Sequence, residues 1–186
     1  DRQVIVFTHD LIFLAELVGR ASNSGVAVLE QTIQRNNSKQ PGMILSEFPW
    51  KAKNVKQRIG DLREYLARIR KQQGAISVDE YETMASDWAG RLSETWERMI
   101  RSEVIYRIVD RSTTEVRPKL VRILAQITKD DYQEFDASYS AVSTWARRHD
   151  KSEEFSYVAP EPEEMEYELN RLARWHTRIK DYARNS

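Results

Sequence analysis

From Tyr81 to Ile108 an apolar side chain returns every three or four residues, through Met84, Trp88, Leu92, Trp96, Met99 or Ile100, Val104, Ile105 and Ile108. At 3.6 residues per turn that spacing draws one stripe along a helix and leaves the other faces to charged groups. A stripe this long must be covered by other helices, so the chain is expected to be built around a helical bundle. Ser77, with Glu80 three residues on, reads as the capping box that starts the helix. Gly90 interrupts the stripe at a cost of about 1 kcal/mol against alanine, which leads us to expect a close helix crossing there.

The same period recurs on both sides. Val55, Ile59, Leu62, Leu66 and Ile69 outline a helix that stops near Gly74. Pro118 suits the first turn of another, with Leu120, Val121, Leu124 and Ile127 as its apolar face. Asp130 or Asp131 opens the next, through Tyr132, Phe135, Tyr139, Val142 and Trp145. After Pro160 and Pro162 a last helix is lined by Met165, Leu169, Leu172, Trp175, Ile179 and Tyr182. Residues 50–186 therefore read as a helical domain of about five helices. A chain that is 40% hydrophobic and 31% charged can both fill such a core and solvate its outer faces.

The first 49 residues follow another pattern. Gln3-Val4-Ile5-Val6-Phe7 is a continuous apolar run of the kind found in a parallel strand buried on both faces. Thr8 is placed to cap the helix that follows, with Asp10 in its first turn and Leu11, Phe13, Leu14, Leu17 and Val18 along it. Ser22 to Gly25 carries helix-stop chemistry, Val26 to Ile33 alternates as a second strand, and Asn36 to Gly42 is a polar, turn-rich loop expected to be mobile. The chain enters its strand-like run directly after Asp1-Arg2, so neighbouring strands are expected to precede it. The fold class expected is mostly α, a short α/β segment followed by a helical bundle.

Several functions are disfavoured. The 29 basic and 29 acidic residues cancel, unlike the charge of a dedicated nucleic-acid binder, and the basic strip Arg63, Arg68, Arg70 and Lys71 is interrupted by Asp61 and Glu64. No cysteine is present, which removes disulfides and thiolate sites and fits a reducing cytoplasm. No apolar run is long enough for a bilayer, the start lacks the features of a signal peptide, and the three histidines stand too far apart for a metal site. No G-x-x-x-x-G-K-[ST] loop exists: the glycines at 19, 25, 42, 60, 74 and 90 all lack a following lysine.

An apolar strand ending in Thr8-His9-Asp10 and entering an apolar helix resembles the switch-histidine loop of ABC-type ATPases of the SMC and RecF-like group, within the P-loop and AAA-type ATPases. Phe48-Pro49-Trp50, Val55 to Ile59, Leu92 to Arg98 and Arg148-His149-Asp150 resemble the C-terminal region of bacterial members of that group, some of which act in phage defence. The resemblance implies that residues 1–49 are the edge of an ATPase head, with His9 as the catalytic sensor of the γ-phosphate and Thr8, His9 and Asp10 as nucleotide-binding residues. It further implies ATP and Mg2+ in the intact protein, and neither for this chain alone. The implied partners are the remainder of the head, a second head in a homodimer, and an effector protein or nucleic acid, without a membrane.

Arg171 and His176, five apart, resemble the R-x4-H pair of helical HEPN ribonucleases, which implies an arginine on the scissile phosphate and a histidine moving the ribose proton. The plain alternative is a charged helix face beside the Trp175 stripe. His149, at an expected helix end, is read as favouring the negative end of the helix dipole. A third reading is a non-enzymatic helical interaction module.

Overall fold

The computed structural model describes residues 2–46, 48–110, 113–146 and 157–184. Its contacts divide into two units, residues 1–54 and 55–186, a few residues beyond the composition boundary. The chain is mostly helical, and its only strands among the described residues form one two-stranded antiparallel sheet.

In the first unit, α1 (Leu11–Asn23) is followed by β1 (Thr32–Gln34) and β2 (Met43–Leu45). The cap of α1 differs from expectation. The Phe13 N–H donates to Asp10 Oδ1 at 3.2 Å, so Asp10 is the N-cap, while the Thr8 hydroxyl accepts from the Asp10 N–H at 3.0 Å in the turn before it. The stop signal acts as read. Gly25, at φ 69°, donates to the Ser22 carbonyl at 3.1 Å and Val26 to the Ala21 carbonyl at 2.9 Å, closing a Schellman motif.

Strand β1 pairs with β2 in the register Thr32 to Leu45, Ile33 to Ile44 and Gln34 to Met43. The Gln40 N–H donates to Asn36 Oδ1 and the Asn36 N–H to the Gln40 carbonyl, both at 3.0 Å, holding the turn between them. Neither Gln3–Phe7 nor Val26–Gln31 enters a ladder among the described residues. A strand exists only where a neighbour takes up its N–H and C=O groups, and no described residue does so for these two runs. No described residue from Arg2 to Trp50 is buried.

In the second unit, α2 (Val55–Gln72), α3 (Val78–Met99), α6 (Lys129–Trp145) and α7 (Pro162–Arg184) form a four-helix arrangement. Helix α3 packs on α2 and α6, and α7 closes the ring by packing on the same pair. Helix α3 continues through a π segment, Ile100–Ile105, into the short α4 (Tyr106–Ile108). A 3-10 turn, Pro118–Val121, leads into α5 (Arg122–Gln126). These are the five helical segments expected from the sequence.

The expected apolar faces of α2, α3 and α7 are the observed core. Trp88, Trp96 and Trp175 are fully covered, as are Leu62, Ile69, Leu92, Leu169, Leu172 and Ile179. Both capping boxes form, Ser77 with Glu80 and Thr128 with Asp131. Where α2 ends and α7 begins, the Tyr81 hydroxyl donates to the Pro160 carbonyl at 2.7 Å and Arg70 pairs with Glu166 at 2.8 Å.

Several expectations change. Ile105, read on the α3 stripe, is 47% exposed, and Tyr132, read on the apolar face of α6, is 58% exposed. A Cβ on Gly90 would meet nothing within 4 Å, so no neighbouring helix crosses closely at that point. In α5 the core residue is Ile123, while Val121 and Leu124 are exposed. The preceding 3-10 turn has three residues per turn rather than 3.6, and it rotates the face away from the α period. None of the described helices is long and apolar enough to cross a membrane.

Candidate functional site

His9 stands in a bend one residue ahead of the Asp10 cap, and Thr8, His9 and Asp10 are all exposed. The segment leading into it is exposed as well, with Val4 80%, Ile5 70% and Phe7 84% accessible. The three residues are consecutive and adjoin the N-terminus of α1. Their chemistry is narrow. The Asp10 carboxylate already accepts from the first turn of α1, and a negative group there disfavours a triphosphate. One imidazole fits a single contact to a phosphate oxygen. It does not make a cradle of converging amides and a lysine, so Thr8, His9 and Asp10 do not by themselves fit ATP or its Mg2+. No cluster of metal-ligating side chains occurs among the described residues.

Arg171 and His176 lie on α7 but face different neighbours. Arg171 Nη1 donates to Glu168 Oε1 and Nη2 to the Glu134 carbonyl, both at 2.9 Å, and its guanidinium lies over the Tyr167 ring. His176 Nε2 is 3.8 Å from Glu103 Oε1. The two side chains are only 14% and 11% exposed. Positions five apart diverge by about 140° around a helix, and here one turns to α6 and the other to the π segment. They are not brought together over an open site. His149 lies outside the described residues.

Sequence reasoning missed two polar groupings. In the first, Glu103 accepts from Arg107 Nη2 at 2.9 Å and faces His176. Burial pushes the Glu103 carboxyl up, but its contacts to His176 and Arg107 outweigh that and hold it down at about 2. The i,i+4 spacing of Glu103 and Arg107 was a readable signal; the histidine comes from a distant helix.

The second lies between α6 and α7. Arg178 Nε donates to Asp131 Oδ1 at 2.6 Å and its Nη2 pairs with Glu134. The Ser138 hydroxyl bonds the buried Glu168 carboxylate, and the Trp175 indole N–H donates to the Asp131 carbonyl at 3.0 Å. Burial works against the Asp131 carboxylate, yet Thr128 and Arg178 keep it below its usual range. The available signal was polar residues, Asp131 and Ser138, one heptad apart on a helix face otherwise read as apolar.

No protein family, curated protein or solved structure matches this chain. The class defined by the fold is a mostly α chain with a helical bundle, preceded by a short α/β segment.

Proposed function

We propose that this chain is the C-terminal part of an ABC-type ATPase of the SMC and RecF-like group. In this reading the first unit is the edge of the nucleotide-binding head, and His9 senses the γ-phosphate once the rest of the head supplies the phosphate loop and the Mg2+ ligands. The helical unit docks an effector or braces a dimer of heads.

The observation that supports this is the exposure of the apolar run Val4 to Phe7 directly before His9. Four consecutive apolar side chains suit a strand covered on both faces, and leaving them in water forfeits roughly 1.5–3 kcal/mol for each large one. A neighbouring strand and a covering helix layer would recover that energy. They would also place the imidazole at the carboxyl end of a parallel strand, where α/β sheets hold their ligands.

The test is His9→Ala in the intact ATPase. ATP turnover is expected to fall by about 100-fold, the lower end of what one positioned proton donor or acceptor contributes. The melting temperature should stay close to that of the parent. Unchanged turnover in a folded variant rejects the role of His9.

A further inference from the structure

Helix α6 meets α7 mainly through polar groups and sets Phe135 against Trp96 and Trp175. Its covered residues are Asp131, Ser138, Val142 and Ser143, whereas α7 buries Met165, Leu169, Leu172, Trp175 and Ile179 beside Pro162, Glu168 and His176. The seam between them is the Asp131, Glu134, Ser138, Glu168, Arg171 and Arg178 network, to which the Tyr182 hydroxyl adds a bond to Asp131 Oδ2 at 3.2 Å. The net stability such bonds add is limited, because water satisfies the same groups when they part. An element held this way belongs at the low-stability end of a fold.

Two further observations concern the same helix. An open groove of about 570 Å3 runs between α6 and the α3–π junction, walled by Ile100, Ile105, Tyr106, Phe135 and Tyr139, so α6 is not seated flush along its length. Beneath α6, Phe135 sets its ring edge-to-face on Trp96 at 5.4 Å, and Trp96 in turn meets Trp175 at 5.7 Å. The Trp96 indole N–H is fully buried there and has no acceptor among the described residues. An unsatisfied buried donor is destabilising, and that cost is relieved when water reaches it.

We infer that α6 is a displaceable cover that lifts from α3 and α7 as a unit and uncovers the Trp96–Trp175 floor while α2, α3 and α7 stay packed. The ionic seam sets the ease of opening, with Arg178 as its pin. Arg178 and Glu134 are 36% and 24% exposed, so salt screening weakens that arm of the seam, while the pair with the buried Asp131 is screened less.

Hydrogen exchange read by mass spectrometry on the full chain, at low and at roughly 1 M salt, tests this. The slowest amides of α6 are expected to exchange at least about tenfold faster than those of α3 and α7. A further increase of about tenfold is expected in high salt and in Arg178→Gln. Should that variant fail to fold, the salt comparison on the parent chain decides. Exchange of α6 at the rate of α3 and α7 in both salts overturns the inference. So does a fast α6 that neither salt nor Arg178→Gln accelerates, since the seam would then not govern opening.

Discussion

Gly90 lies inside α3 with open space where a Cβ would stand, so its backbone freedom is spent without a packing return. Replacing it by alanine should raise stability by about 1 kcal/mol in urea denaturation, at unchanged m-value. A loss would mean that a close neighbour had been overlooked. Glu103 gives a second single-residue test. Its folded value of about 2 lies below the ordinary 4.5, so the stability it contributes is present above pH 4.5 and drains away as pH falls from 4.5 toward 2. At most this amounts to about 3 kcal/mol. Glu103→Gln should therefore lower stability at neutral pH and flatten the acid limb between those values; a parallel acid limb in the variant would assign the sensitivity to other carboxylates.

At the scale of elements, what the sequence announced and what it hid have a common cause. Helices whose apolar residues keep the α period, such as α2 with Val55, Ile59, Leu62, Leu66 and Ile69, were legible with their buried faces. Phase was lost where the period changes. Inside the π segment Val104 is buried but Ile105, read on the same stripe, is 47% exposed, and the 3-10 turn before α5 moved the core position to Ile123. The polar seam of α6 was illegible for another reason. Asp131 and Ser138 break the apolar pattern, and their partners Arg178 and Glu168 sit on a helix dozens of residues away. Of the candidate site, the Thr8-His9-Asp10 cluster could be read because it is local; the assignment of the cap to Asp10 depended on backbone geometry. The role of α6 as cover bears on Trp96 as well. Trp96→Ala removes a fully buried indole and should cost about 3–5 kcal/mol by thermal or urea unfolding. A cost below about 1 kcal/mol would place the ring in a loose site.

For the whole molecule, the contrast between the units matters most. The second has its own core of tryptophans and aliphatics, while among the described residues of the first only Ala52 and Lys53 are buried. A segment with so little burial does not by itself offset the entropy of ordering its chain. Residues 55–184 alone should accordingly unfold in one cooperative transition, seen by circular dichroism, with a midpoint close to that of the full chain. The proposal of an incomplete ATPase head makes a sharper demand on the first unit: its strand-like run must find cover in the intact protein. The most direct measurement is amide exchange of Gln3–Phe7 and Val26–Gln31 in this chain and in the longer ATPase that the proposal requires. We expect little protection in the chain alone and a gain of at least about 100-fold in the intact protein, where the run joins a sheet. Equal, unprotected exchange in both would contradict it.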